Sequence, residues 1–153
     1  MSDRSNLLVK KYYENKNLEL LKEIIDIRKV NSISKDPKYK KLYAEGDPFP
    51  HLCIQNLWEE KFLLSISDEF REYRNWETHE KNAPQKECKS SNIFFKFPDK
   101  TAKLVNFCNS FIFIQFLESI TGISGLIPDP YLLGGGMKST GNNGFLNLHA
   151  DFN

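Results

Sequence analysis

Hydrophobic positions near the N-terminus recur with the spacing of a single helix face. Leu18, Leu21 and Ile25 lie three and four residues apart, and this spacing predicts one amphipathic helix. The segment from 31 to 46 contains Pro37 and many lysines, and we interpret it as a linker. Residues 1–45 are therefore expected to form a helical, Lys-rich N-terminal extension.

A second unit begins at Pro48-Phe49-Pro50. Residues 51–54 are a candidate for a short strand, and Asn56 has the position of an N-cap, with Glu59 three residues later. The helix predicted to follow carries these apolar residues toward a core: Leu57, Phe62, Leu63, Ile66 and Phe70. Residues 71–91 are polar and are expected to be extended or loop, whereas 92–97 could be a strand or an irregular apolar stretch.

The clearest predicted element is a helix that ends at about Thr121. Asp99 or Thr101 is expected to cap its N-terminus, and Gly122 is expected to end it. Its apolar face is very wide, with apolar residues at 104, 107, 108, 111, 112, 114, 116 and 117. A helix with such a face must be covered on more than one side, and a β-sheet is the natural candidate for the cover.

The last part of the chain has the pattern of a β-hairpin. Residues 131–137 can be extended, Gly141-Asn-Asn-Gly144 is a strong turn signal, and 145–152 follow as a strand. In that strand Leu146 and Leu148 would share one apolar face that packs on a core, because side chains alternate along a strand.

Composition and charge exclude several classes of protein. The chain has 153 residues, of which 40% are hydrophobic, and 21 basic against 20 acidic residues give a net charge of +1. One domain with a real core is expected, and nothing indicates nucleic acid or an anionic membrane as a partner. The balanced charge also favours a solvated connector over an anion-binding patch for the lysine cluster Lys35, Lys38, Lys40 and Lys41.

Cysteine usage and hydropathy bear on the compartment. The three cysteines are an odd number without a C-x-x-C motif, which argues against a disulfide framework. We expect each of them to be a small buried apolar residue. The N-terminus lacks the pattern of a signal peptide, and the apolar segment 104–117 is shorter than the ~20 residues that a spanning helix needs. A cytoplasmic protein without a membrane segment is expected.

His149 and Asp151 are the residues with the clearest potential for chemistry. They lie two residues apart in the predicted last strand, so both side chains would project from the same face, beside Asn147. An imidazole and a carboxylate projecting together are two of the three ligands of the 2-His-1-carboxylate triad that holds Fe(II). The tripeptide alone is weak evidence, because a surface His near a loop Asp is common.

The surrounding sequence resembles a known family. Leu117-Glu-Ser-Ile-Thr-Gly-Ile, the segment Pro128-Asp-Pro130, and Gly144-Phe-Leu-Asn-Leu-His-Ala-Asp-Phe-Asn153 are similar to motifs of the Fe(II)/2-oxoglutarate-dependent oxygenases of the prolyl 4-hydroxylase-like group. The resemblance covers about residues 48–153 and is most specific from Leu117 onward. It implies that residues 46–153 are the N-terminal portion of a dioxygenase domain, with His149 and Asp151 as metal ligands.

The same resemblance implies a fold, a reaction and a set of cofactors. The expected fold is α+β, with N-terminal helices packed on the beginning of a double-stranded β-helix, a cupin-like jelly roll that is incomplete in this chain. The implied activity is hydroxylation of a C–H bond coupled to decarboxylation of 2-oxoglutarate to succinate. The implied cofactors are Fe(II) and 2-oxoglutarate, with ascorbate as a candidate reductant. The substrate, small or peptidyl, is not indicated.

The chain departs from the family pattern in one important respect. The family needs a second His on a later strand and then an Arg or Lys that pairs with 2-oxoglutarate, whereas the sequence stops two residues after Asp151. His51 and His79 lie upstream and are expected to be exposed rather than ligands. Tyr131 could donate a hydrogen bond to a bound oxo-acid, although a packed strand aromatic is the simpler interpretation.

Two alternatives to an oxygenase stay open at this point. The chain could be a non-catalytic remnant or an interaction module that uses the apolar helix and the hairpin. It could also be a small cupin-type metal binder, for which a third ligand is missing. An incomplete sheet would leave an open edge and uncovered apolar surface, so the isolated chain is expected to be poorly stable or to self-associate.

Overall fold

Two short helices, rather than a linker, occupy most of the segment 31–46. The computed structural model describes residues 21–80, 85–132 and 135–148, and its first helices are α1 (Ile27–Lys35) and α2 (Pro37–Ala44). Asp26 caps α1, and Asp36 both ends α1 and caps α2 by accepting a hydrogen bond from the Lys38 amide. The linker interpretation is wrong because a proline at the first helical position starts a helix, and lysine is a good helix former.

The α1–α2 pair covers the apolar helices at the C-terminal side of the chain. Val30 and Ile33 of α1 are buried in one cluster with Phe107, Phe116 and Ile120. Both α1 and α2 pack on α5 (Phe111–Thr121). Helices, and not the expected β-sheet, therefore cover α5. The sheet residue Met137 lies in a second cluster with Ala102 and Val105, so the expectation is confirmed only for the first part of the predicted helix. The lysines of the basic cluster are exposed.

The predicted helix through Ile25 ends earlier than its periodicity indicates. Its first residues lie outside the described ranges, and after Leu21 and Lys22 the chain turns. Ile25 then forms an isolated antiparallel bridge with Trp58, with backbone hydrogen bonds from Asp26 to Leu57 and from Glu59 to Ile24. Ile25 is nevertheless completely buried, so its apolar position in the pattern marks the core correctly.

The same bridge explains the late start of α3 (Glu60–Glu72). Residues 57–59 are held extended against residues 24–26, so the helix begins only after Glu59, which makes no side-chain cap. Asn56 adopts a left-handed φ of 51° and is not the N-cap, contrary to the prediction. Residues 51–54 form no strand.

The predicted helix before Gly122 is two helices. α4 (Asp99–Cys108) and α5 meet at a bend of 50°. Ser110 caps α5 by accepting from the Phe113 amide, and Gly122 ends it with a left-handed φ of 74°, as predicted. The expectation of cover on more than one side is confirmed, because Leu104 packs in the first cluster and Val105 in a second.

The N-terminus of α4 is capped from another helix. The Glu69 carboxylate of α3 accepts hydrogen bonds from the amides of Lys100 and Thr101, both at 2.8 Å, and from the Thr101 hydroxyl at 2.9 Å. These amides have no partner within their own helix. Neither Asp99 nor Thr101 is the N-cap, since α4 begins at Asp99 after Pro98.

The three strands form one antiparallel sheet in the order β1-β2-β3. β1 is Thr78–Glu80, β2 is Gln85–Ser91 and β3 is Met137–Leu146, and a short 3-10 turn at Phe94–Lys96 follows β2. The prediction of extended chain within 71–91 is confirmed for these strands. The five helices and three strands of the described residues make the fold α+β.

The predicted hairpin turn lies inside β3 instead of ending it. Thr140 pairs with Cys88 and Phe145 pairs with Lys86, so Glu87 alone stands opposite residues 141–144. The Gly-Asn-Asn-Gly segment therefore forms a large bulge. The prediction of a hairpin is wrong because β3 pairs with β2, about fifty residues earlier in the chain.

A second, smaller apolar cluster joins the sheet to the helices. Tyr73, Phe97, Leu132 and Met137 are its buried members, and Trp76 packs against it. No single helix in the described ranges is long and apolar enough to cross a membrane, although α4 and α5 taken together reach the length and composition as a bent pair.

Candidate functional site

His149 and Asp151, the predicted iron ligands, lie outside the described residues. The structure describes the residues that precede them: β3 ends at Leu146, and Asn147 and Leu148 continue without regular structure. Leu146 is half-exposed and Leu148 is fully exposed. The expected packing of these two leucines on a core is therefore wrong. The predicted strand register at His149 is not tested.

Tyr131, the weak candidate for binding an oxo-acid, is on the surface. Its side chain is 79% exposed, so it is not a packed strand aromatic. Its amide donates to Asp129 Oδ1 at 3.1 Å, and the Asp129 amide donates to Asn109 Oδ1 at 3.1 Å. The loop that carries Tyr131 is thus tied to the bend between α4 and α5, while the phenol itself is open to solvent.

The other two histidines are exposed, as predicted, and lie in separate places. His51 Nδ1 is 2.8 Å from the Phe49 carbonyl oxygen. His79 on β1 pairs with Glu87 on β2, with 3.1 Å between Nε2 and Oε2. Within residues 21–80, 85–132 and 135–148, no three His, Cys, Asp or Glu side chains come together as metal ligands. The described part of the chain therefore does not complete an iron site.

The cysteines form no disulfide and show no shared role. Cys53 is exposed rather than buried, and Cys88 and Cys108 are partly buried. Burial raises the pKa of the Cys108 thiol, which keeps it protonated and unreactive at neutral pH.

A polar network at the end of β2 is absent from the sequence predictions. Ser91 donates from its hydroxyl to Glu77 Oε1 at 3.1 Å, the Asn92 amide donates to Glu77 Oε2 at 2.9 Å, and Lys96 Nζ lies 3.5 Å from Oε1. Tyr73 Oη is 2.8 Å from the buried Ser91 hydroxyl. Burial acts to raise the pKa of Glu77, but these hydrogen bonds and the Lys96 charge outweigh it and hold the pKa below its ordinary value.

The Glu77 network has a structural role. It links Ser91 at the end of β2 to Glu77, which precedes β1, and to Lys96, which follows β2. Ser91 pairs with Met137, the first residue of β3. A Cβ on Gly136 would lie 2.5 Å from the Ser91 carbonyl oxygen, so only glycine allows this close approach. No local motif marks the network, because its members are separated along the chain by up to 23 positions, from Tyr73 to Lys96.

Two open grooves are lined by residues within 21–28, 59 and 103–110 rather than by residues of β3. One, of about 280 Å³, is lined mainly by Leu21, Ile24, Lys103 and Phe107. The other, of about 450 Å³, is lined by Lys22, Asp26, Arg28 and Glu59 with the adjoining isoleucines. Neither lining includes a residue of β3, so neither groove extends the predicted iron site.

Comparison of the chain with models of protein families, with curated proteins and with solved structures found no match. The resemblance to the prolyl 4-hydroxylase-like oxygenases stays a prediction from the motifs around His149 and Asp151.

Proposed function

We propose that this chain carries the first two iron ligands, His149 and Asp151, of a 2-oxoglutarate-dependent dioxygenase domain of the prolyl 4-hydroxylase-like group. The observation that carries the proposal is the segment from Gly144 to Asn153, in which His and Asp follow a glycine-rich strand at the spacing of one strand face. In such a site Fe(II) and 2-oxoglutarate supply the oxidising chemistry, and the protein supplies ligands and orientation.

The α+β fold supports the proposal at the level of architecture. β3 delivers the chain toward His149 from an antiparallel sheet, and helices pack behind that sheet through the Tyr73–Met137 cluster. In the described residues β3 pairs only with β2, which leaves its outer edge as the place where further strands of a jelly roll would add. The beginning of a double-stranded β-helix is the finer fold that we propose.

The remaining ligands are proposed to lie outside these 153 residues. His51 and His79 are engaged elsewhere on the surface, so neither is assigned as the distal iron ligand. A second His and a basic residue for the distal carboxylate of 2-oxoglutarate would be encoded beyond Asn153. The cytoplasmic location and ascorbate as a candidate reductant are proposals of the same kind, and no substrate is assigned.

The test is succinate production by the protein expressed through the reading frame that follows the Asn153 codon. We expect succinate that depends on Fe(II) and 2-oxoglutarate, that is lost in His149→Ala and is kept in His79→Ala. His79 is a suitable control because it is a histidine of the described sheet that lies beside a carboxylate, Glu87, and is not a proposed ligand. A downstream frame without a His and an Arg or Lys, or equal activity in both variants, would contradict the proposal.

The exposed apolar end of β3 favours a second candidate, a non-catalytic interaction module. Phe145 and Leu146, at the end of the strand at the edge of the sheet, are about half exposed, and Leu148, just after it, is fully exposed. Exposed apolar side chains beside an open edge favour association with another chain.

Sedimentation velocity over a range of concentrations tests this second candidate. We expect the wild-type chain to self-associate and the Leu148→Lys variant to be shifted toward monomer, because a charge at an exposed position costs the monomer little. A monodisperse monomer at every concentration would contradict self-association.

A further inference from the structure

The bulge in β3 places an asparagine in an unusual setting. Residues 141–144 are opposed by Glu87 alone, between the pairs Thr140–Cys88 and Phe145–Lys86. Within this bulge Asn143 has a left-handed φ of 60° and an exposed side chain. Asparagine tolerates this conformation better than most residues. The strand register pairs Asn143 with no residue of β2.

The residue after Asn143 is Gly144, and this is the one Asn-Gly step in the sequence. Glycine has no Cβ, so its amide nitrogen is unshielded. That nitrogen can lose its proton and attack Cγ of Asn143: the N–Cγ bond forms, the Cγ–Nδ2 bond breaks, and the departing Nδ2 takes up a proton and leaves as ammonia. Water then opens the resulting five-membered imide at either carbonyl, which gives aspartate or isoaspartate. The reaction needs only water.

We propose that Asn143 is a site of spontaneous deamidation in the folded protein, because the bulge leaves its side chain exposed and its following amide outside the regular register. Other exposed asparagines lack one of these features. Asn147 is followed by Leu148 and Asn92 by Ile93, and in both cases the side chain of the following residue shields the backbone nitrogen that would attack.

The modification would act on the pairing of β2 with β3. Aspartate at 143 places a carboxylate in the bulge opposite Glu87, and like charges facing each other across strands are destabilising. Isoaspartate adds a methylene to the main chain between two paired stretches, so Phe145 and Leu146 would lose their register with Lys86 and Gln85. The apolar end of β3 would then be released from the sheet.

Peptide mapping by mass spectrometry tests the proposal, after the purified chain is incubated at mildly alkaline pH. We expect a gain of about one dalton at Asn143 as amide becomes acid, with aspartate and isoaspartate both present. Asn147 and Asn92 should be unmodified on that timescale, and Gly144→Ala should lose the product. Product at Asn143 that forms no faster than at Asn147, or that persists unchanged in Gly144→Ala, would overturn the proposal.

A second measurement keeps the test independent of how well the variant folds. The rate at Asn143 is compared between the native wild-type chain and the same chain in urea. We expect the native rate to stay within a few-fold of the unfolded rate, since the bulge does not protect the site. A native rate suppressed many-fold below the unfolded rate would show that strand pairing protects Asn143 and would refute the inference.

Discussion

Ile33→Ala tests whether the N-terminal helices are an integral part of the core. Ile33 is 2% exposed and lies in the cluster that contains Phe107, Phe116 and Ile120. The substitution removes about three carbon groups at roughly 0.8 kcal/mol each, or about 2.4 kcal/mol. The cavity left behind raises the expected loss to about 3–4 kcal/mol. For a chain of this size, that corresponds to a fall in Tm of roughly 6–16 °C.

The assay is urea unfolding followed by the fluorescence of Trp58. Its ring lies 5.9 Å from Phe107 and 5.6 Å from Phe113 between centroids, so it reports on the same cluster, and Trp76→Phe removes the other tryptophan. Leu42→Ala on α2 is the matched control, because Leu42 is 51% exposed and should lose less than about 1 kcal/mol. If Ile33→Ala loses no more than this control, α1 is not a core element and the packing described above is wrong.

Three further predictions concern single contacts. Glu69→Ala should lower the unfolding free energy by about 1–3 kcal/mol, because it leaves the first amides of α4 without an acceptor, and Glu69→Gln should recover part of the loss in the same urea titration. Glu77 has a lowered pKa in the fold, so its stabilisation is present above its ordinary pKa of 4.5 and is lost as the pH falls through the folded value. Unfolding measured against pH should therefore show the advantage of wild type over Glu77→Gln shrinking in acid, and a constant difference would contradict the assigned hydrogen bonds. Gly136→Ala should cost more than about 1 kcal/mol because its Cβ meets a backbone oxygen, whereas a Cβ on Gly135 would lie an ordinary 3.7 Å from the Leu132 side chain; equal thermal shifts in Gly136→Ala and Gly135→Ala would refute the close approach.

Local signals in the sequence predicted the elements whose causes are local. Gly122 ends α5 as expected, since a glycine after an apolar helix favours the left-handed cap. Asp36-Pro37 is also a local helix-start signal, and the linker interpretation gave too much weight to proline as a breaker. The break at Asn109 is harder to see, because apolar residues continue through it and only Ser110 marks the new start.

The parts that were not predicted depend on contacts between distant residues. The Gly141–Gly144 turn signal is overridden because β3 finds β2 as its partner, with pairs such as Cys88–Thr140. Likewise, Glu69 caps a helix that begins 30 residues later. For the candidate site, the spacing of His149 and Asp151 is a sequence observation, and their mutual geometry lies beyond the described residues.

The measurement that most directly tests the proposed iron ligands is paramagnetic broadening of backbone amide resonances by Co(II), a stand-in for Fe(II) with the same ligand preferences for nitrogen and oxygen. With His149 and Asp151 as ligands, broadening should centre on residues 147–153 at low metal concentration and disappear in His149→Ala. It should be unchanged in His79→Ala. Broadening centred on His79 and Glu87, or unaffected by loss of His149, would contradict the assignment of His149 and Asp151.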